Sequence, residues 1–377
     1  MILRRLAVTA VLMILLSVPV CAQTDANTMY DEQLSSSGAD ELIQHLPADV
    51  QEVLSSLSLD DFGQDGFVGL QLSSVLSMLV DLLGDQASGP LQTFAALMAV
   101  VVLSALFGGL EGMTDRPVLR QTYHTVSALA GAGLILSSFV SLLRVVQQAV
   151  DSVNVFMLSF VPVYAAIVTA NGSPSVALSY QTTLLAAAQL LSQGMRVIVL
   201  PLLLVSLALG CIGTVSEGFN LASISQTFYK AVLWGIGLFS TAFSGVLSVQ
   251  QMVSAAGDSV ANRALKFSLA SFVPVVGGTL SEAYSTVLGC AGLLRSTVGC
   301  FGLVATVLIV LPPMLACVAW NIALSLGANT AAMFGLGALE RLCRCVGGAV
   351  RVLIAVLAVY GLLMVISTSV IVFVGRG

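Results

Sequence analysis

The stretch Gly302 to Leu326, GLVATVLIVLPPMLACVAWNIALSL, decides the class of fold. It runs for 25 residues without a charged side chain, whereas about 20 apolar residues suffice for a helix to cross a bilayer. Such a span is helical, because hydrocarbon offers no partner for unpaired backbone groups. Similar runs recur along the chain. The predicted spans of this kind are 91–110, 122–143, 195–215, 231–250, 302–326 and 350–374.

The composition of the whole chain supports the same class. Of the 377 residues, 57% are hydrophobic and only 9% are charged, against about 25% charged in an ordinary globular protein. A net charge of −5 also excludes the basic surface by which proteins bind nucleic acid. We therefore predict an all-α, polytopic membrane protein that contacts the lipid bilayer and binds no nucleic acid.

Several further apolar segments contain polar or helix-breaking residues. Segment 153–170 contains Pro162, and segment 176–193 contains several Gln and Thr residues. Segments 267–280 and 283–299 are short and Gly-rich, and the first contains Pro274, Gly277 and Gly278. Irregular backbone at membrane depth is tolerated only where protein or water satisfies it. These segments predict Pro/Gly-broken or re-entrant helices and leave the number of spans between six and nine.

The first 22 residues have the pattern of a signal peptide. Arg4 and Arg5 precede an apolar run that ends near Leu16, and small residues follow. Val20 and Ala22 suit the positions before a cleavage site, which predicts cleavage after Ala22. An uncleaved anchor, or lipidation at Cys21, are the alternatives.

Residues 23–90 form an acidic segment next to the membrane domain of residues 91–377. The segment holds twelve Asp and Glu residues and neither Lys nor Arg. Because Lys and Arg retain flanking segments in the cytoplasm, this composition predicts an extracytoplasmic location. Apolar residues at helical spacing over 66–83 predict an amphipathic helix lying on the outer leaflet, and a break is expected from Gly84 to Pro90.

The membrane domain is predicted to contain two related halves, roughly 120–215 and 225–325. Short motifs recur in the same order at offsets between 103 and 112 residues. Repeated halves with broken helices are typical of transporters and channels. Whether the halves are parallel or inverted depends on whether 176–193 crosses the membrane. The motif pairs are Gln121-Thr122-Tyr123 with Gln226-Thr227-Phe228, Val146-Gln147-Gln148 with Val249-Gln250-Gln251, Ser159 to Val163 with Ser271 to Val275, and Val199-Leu200-Pro201 with Val310-Leu311-Pro312.

Polar residues within or beside the apolar segments are the candidate functional residues. Charges in a bilayer are unfavourable and often mark function, although those at helix ends also cap helices or reach the headgroups. The repeated glutamine pairs are candidates for a pore lining or for interhelical hydrogen bonds, and Pro162, Pro274, Gly277 and Gly278 are candidates for gating or helix breaks. The glutamines are Gln147, Gln148, Gln250 and Gln251, and the charged candidates are Asp151, Asp258, Arg263, Lys266 and Glu282.

Motifs for catalysis, nucleotide binding or metal binding are absent from the sequence. The two histidines, His45 and His124, stand far apart. We therefore expect no enzyme activity, no catalytic residue, no cofactor and no metal.

Three stretches of the chain resemble the stage III sporulation protein AE family. They are Ala264 to Phe267, Phe272 to Gly277 and Ser296 to Gly302, and the order of signal peptide, acidic segment and membrane domain agrees along nearly the whole chain. The resemblance implies a multi-pass protein of the mother-cell membrane around the forespore. It further implies membership of a secretion-like channel complex that supports forespore maintenance and late forespore gene expression.

The partners implied by the resemblance are the other stage III sporulation A proteins and the forespore stage II sporulation protein Q. The family has no established catalytic residues to transfer. The alternative function is a free-standing secondary transporter, in which Asp151 and the glutamine pairs would serve a substrate site. A transporter should work alone in liposomes, whereas a channel component should need its partners.

Overall fold

The computed structural model describes residues 37–56, 72–111, 117–215, 221–272 and 277–374, and every regular element within these ranges is helical. A 3₁₀-helix and eight α-helices follow one another, with a π-helical segment, Met195–Val199, joining two of them. In chain order the elements are the 3₁₀-helix Ala39–His45, α1 (Ala48–Ser56), α2 (Leu72–Glu111), α3 (Pro117–Ala170), α4 (Pro174–Gly194), the π segment, α5 (Leu200–Val215), α6 (Leu221–Phe272), α7 (Gly277–Met333) and α8 (Gly337–Val374).

Six stretches of these helices are long and apolar enough to cross a membrane, which confirms the prediction of an all-α, multi-pass membrane protein. Four of them contain 40 to 43 residues. Such a stretch is about 60 Å long, roughly twice the thickness of the hydrocarbon core. The six are Ser88–Leu106, Leu129–Ala170, Pro174–Gly213, Ile224–Leu265, Ala291–Met333 and Gly337–Thr368.

The helices run through several places where the sequence predicts breaks. Pro90 lies inside α2 and Pro162 inside α3, so the breaks expected at Gly84 to Pro90 and at Pro162 are wrong. Segment 283–299 is not re-entrant, because it belongs to the 57-residue helix α7. A proline removes one N–H from the helical ladder, and packed neighbours can hold such a helix together, whereas a true break in a bilayer exposes several unpaired groups.

The region around Pro274 is the remaining predicted break. Helix α6 ends at Phe272 and α7 begins at Gly277, so Gly277 and Gly278 form the first turn of α7. Pro274 itself lies outside the described residues, as does the predicted signal peptide. The first part of the predicted amphipathic helix, 66–71, also lies outside them, and its remainder, 72–83, belongs to α2.

Helices α7 and α8 form the buried centre of the bundle, and α2 and α6 are its most exposed spans. Helix α8 packs along α7, α6, α5 and α3, while α2 and α3 also pack against α7. Part of the acidic N-terminal segment joins this core: the 3₁₀-helix contacts α3, α1 contacts α7, and both bury leucines. Those buried leucines are Leu42, Leu46 and Leu54.

The two predicted repeat copies correspond to α3–α5 and to α6–α7. Helix α4 folds back on α3 and α6 folds back along α4 and α5, so α3 and α6 run in the same direction. If the copies are equivalent, they are therefore parallel. The repeat itself stays a prediction.

Candidate functional site

The turn between α3 and α4 is held by a carboxylate from α6. Asp258 accepts hydrogen bonds from the backbone N–H groups of Ser175 (3.1 Å) and Val176 (3.0 Å) and is only 4% exposed. Ser173, at the N-cap of α4, makes no side-chain cap of its own. The first N–H groups of a helix lack intrahelical partners and carry partial positive charge, which a carboxylate satisfies. Asp258 is thus a helix cap supplied from 83 residues away.

Two asparagines and an arginine complete a cluster around this turn. The Asn262 amide donates to the carbonyl of Gly172 at 2.6 Å, and Gly172 has a positive φ of 75°. With its amide turned so that both groups meet suitable neighbours, Asn171 donates to the Leu288 carbonyl at 2.8 Å and accepts from Arg295 Nη1 at 3.2 Å. We call Asn171, Gly172, Asp258, Asn262 and Arg295 the turn cluster. It ties α3, α4, α6 and α7 together at one end of the bundle.

A column of aromatic rings runs from the turn cluster into the bundle. Phe156, Phe160 and Tyr164 follow one another at four-residue spacing on α3, with ring centroids 5.4 Å and 5.3 Å apart. Tyr164 packs edge-on against Tyr180 of α4, and Phe156 against Phe301 of α7. This column is fully buried, whereas Pro162, on the same stretch of α3, is exposed.

Two glycines of α7 make room for this column. A Cβ at Gly299 would lie 2.8 Å from the Tyr164 hydroxyl, and one at Gly302 would overlap the Phe160 ring. Both glycines fall within the stretch Ser296 to Gly302 that resembles the sporulation family. Their role in this chain is to let α3 and α7 approach closely.

A second charged contact lies along the middle of the long helices. Arg196, in the π-helical segment, donates to Asp151 of α3 at 2.5 Å. The buried Tyr360 of α8 and Ser192 of α4 lie beside this ion pair. Single π-helical turns frequently occur at functional positions, because the extra residue redirects a side chain. Here the π segment carries the arginine that pairs with Asp151.

The glutamine pairs of the two predicted halves have different surroundings. Gln147 is half-buried and Gln148 is exposed on α3. Gln250 is exposed on α6 and accepts hydrogen bonds from the Thr183 hydroxyl and from Ser179 at 3.4 Å, whereas Gln251 is fully buried. Gln250 therefore supports the helix-packing interpretation.

A cleft of about 430 Å³ opens beside Gln250, between α4 and α6. Its walls are mostly apolar, with Phe239 and Phe243 on one side and Thr182 and Thr183 near one end. Such a cleft can hold an apolar segment with one polar end.

The remaining candidates are dispersed. Arg263 is exposed on α6, directly after Asn262 of the turn cluster. The side chains of Lys266 and Glu282 lie outside the described part of the structure. Asn171 and Asn262 were not among the candidates selected from the sequence. The Asn171-Gly172 pair ahead of Pro174 was the only local signal, and it concerns Asn171 alone. Within the described ranges, His, Cys, Asp and Glu residues do not gather in a group able to hold a metal.

Comparison with known proteins agrees with the resemblance seen in the sequence. A family model described as stage III sporulation protein AE matches residues 57–375. This chain belongs to that family. It is similar to the stage III sporulation protein AE of Bacillus subtilis (strain 168), with 23% identity over 280 residues that cover 74% of this chain and 70% of the relative. No solved structure matches it.

Family membership gives the chain a role in sporulation, and its helices make it a multi-pass membrane protein. The family is not a known enzyme family. The turn cluster and the Asp151–Arg196 pair each join helices that are distant in the chain.

Proposed function

We propose that this protein is a membrane component of the mother cell–forespore channel, a secretion-like complex required for forespore maintenance and late forespore gene expression. It acts by assembly with the other stage III sporulation A proteins and with the forespore stage II sporulation protein Q. It resides in the mother-cell membrane around the forespore, with residues 23–90 outside the cytoplasm.

The observation that supports this proposal most is the length of the exposed apolar surface along α6, measured across the membrane. On α6, exposed apolar side chains continue from Ile224 to Leu265, a length of about 60 Å. Even at the largest common tilt, about 40°, such a helix rises roughly 45 Å against a hydrocarbon core of about 30 Å. About a third of this height therefore lies outside the hydrocarbon core, where other proteins can cover the exposed apolar side chains.

Charged residues divide the long helices into two apolar bands. The Asp151–Arg196 pair interrupts α3 and the α4–α5 helix near their middles. A single bilayer accommodates one band. The other band, with exposed side chains such as Leu129, Leu204 and Ile212, is then available to neighbouring subunits.

The distribution of Lys and Arg residues supports one orientation of the bundle in the membrane. Lys230, Arg341, Arg344 and Arg351 belong to the end of the bundle that carries the α7–α8 turn, whereas Arg263 and Arg295 belong to the other end. Because Lys and Arg favour the cytoplasmic side, this end faces the mother-cell cytoplasm. The base-free segment 23–90 then lies on the other side, which agrees with export.

A clean deletion in the native host tests the function, scored by microscopy and by a late forespore reporter. Normal growth followed by engulfed forespores that stall and collapse is the expected phenotype. Normal spores combined with a vegetative uptake or efflux defect would favour the secondary transporter, in which the α4–α6 cleft would hold substrate. Reconstitution separates the two functions further, because a transporter moves its substrate alone in liposomes and a channel component does not.

A further inference from the structure

A polar cavity of about 220 Å³ lies between α7 and α8, below the turn that joins them. Its α7 wall presents three polar side chains spaced four residues apart, which places them on one helix face. Its α8 wall presents two arginines with a glycine between them. The residues concerned are Asn321, Ser325 and Asn329 on α7, and Arg344, Gly347 and Arg351 on α8.

The cavity is lined by two positive charges and by no acidic side chain. Arg344 Nε donates to Glu340 at 2.9 Å, and Arg351 Nε donates to the Gly347 carbonyl at 3.1 Å. Each bond uses one of the five N–H donors of a guanidinium. The remaining donors of both arginines can therefore serve a ligand in the cavity.

Neutral donors on α7 complement the arginines. Among the described residues, the Asn321 and Asn329 side chains have no hydrogen-bond partner. Gly347 leaves room on the side that faces α7, where an added Cβ would lie 3.8 Å from Asn321 Oδ1, an ordinary contact distance. Two guanidinium groups and two amides thus surround one small volume.

The cavity lies where the uncharged part of α8 begins. Residues 352–374 contain no charged side chain, and these 23 residues make a helix about 35 Å long, enough for the hydrocarbon core. Arg351 precedes this stretch directly. Basic pockets between membrane helices accept lipid headgroups.

We propose that this cavity binds a phosphate group, carried either by an anionic phospholipid or by inorganic phosphate. Guanidinium groups match the oxygen pairs of a phosphate with two parallel hydrogen bonds, and amide N–H groups fill the remaining oxygen positions. The proposal concerns a site separate from the turn cluster, and it does not depend on the role in the sporulation channel.

The test uses the full chain, purified and stripped of lipid. Phosphatidylglycerol and phosphatidylcholine are titrated separately, and bound lipid is counted by native mass spectrometry. The double substitution Arg344→Gln with Arg351→Gln removes both charges, and Gly347→Leu fills the cavity while keeping them. Arg341→Gln is the matched control, since Arg341 is exposed on the same helix but does not line the cavity.

We expect the double variant and Gly347→Leu each to bind phosphatidylglycerol about tenfold more weakly or worse, as lost charge-assisted bonds imply. Arg341→Gln should bind as the unaltered protein does. If millimolar inorganic phosphate competes with phosphatidylglycerol, free phosphate is a ligand of the cavity. If it does not compete, the ligand is the lipid. Unchanged affinity in the double variant, or an equal loss in Arg341→Gln, would overturn the proposal. Circular dichroism and gel filtration establish that each variant is folded.

Discussion

Replacing Asp258 with alanine should loosen the packing of α4 against α6. The carboxylate satisfies the N–H groups of Ser175 and Val176 at a buried helix start. Alanine leaves both donors without this partner and removes the negative charge from the positive end of α4. Loss of a helix cap costs about 0.5–2 kcal/mol, and hydrogen bonds to a charged acceptor contribute about 1.5–3 kcal/mol each. Because water at the turn partly replaces them, we expect about 2–4 kcal/mol of destabilisation in total.

The amide variant Asp258→Asn refines this test. It keeps one acceptor oxygen, so it should lose roughly half as much, about 1–2 kcal/mol. Arg263→Ala is the matched control, because Arg263 is exposed five residues further along α6, and a change at such a position stays within about 0.5 kcal/mol. The free energy of unfolding of the three variants is measured by adding dodecyl sulfate to the protein in mild detergent. Circular dichroism follows the loss of helix. Equal stability of Asp258→Ala and the unaltered protein would refute the capping role.

Three further substitutions test the packing of the long helices. Gly302→Ala places a Cβ against the Phe160 ring and should destabilise by about 1–3 kcal/mol in the same unfolding assay. Arg196→Ala should lower sporulation efficiency by leaving Asp151 unpaired, and exchanging the two charges should restore most of it; no recovery would show that the ion pair is not what matters. Pro162→Ala supplies the N–H missing from α3 and should raise the unfolding temperature by a few degrees, whereas a lower temperature would contradict an unbroken helix.

The class of fold follows from the sequence, because the length and apolar character of a segment decide whether it can cross a bilayer. The helix boundaries do not follow so easily. Segment 144–151 contains Arg144 and Asp151 between two apolar runs, which is also the pattern of a short loop between two spans. In the structure α3 continues through it, and Asp151 is satisfied by Arg196 from another helix. A partner 45 residues away leaves no local pattern.

The same limit applies to the candidate residues. The sequence selected Asp258 as a charge near an apolar segment, but its partners lie 82 and 83 residues away on α4. Gln250 and Gln251 are neighbours in sequence, yet they occupy opposite environments because a helix turns by about 100° per residue. Side-chain type marks a residue as unusual, and tertiary packing decides what it contacts.

The central claim is that part of the apolar surface of α6 is covered by other proteins. Trp234 is 72% exposed and Phe267 is 71% exposed, and they are separated by about 50 Å along the helix. Both therefore cannot lie in one hydrocarbon core of about 30 Å, even with strong tilt. A photo-crosslinking amino acid is placed at each of these two positions in turn, and at Val246 between them for comparison. In sporulating cells, the crosslinked products show whether each position contacts protein or lipid. We predict protein adducts at one end of α6 at least, and lipid adducts alone at both ends would contradict the account.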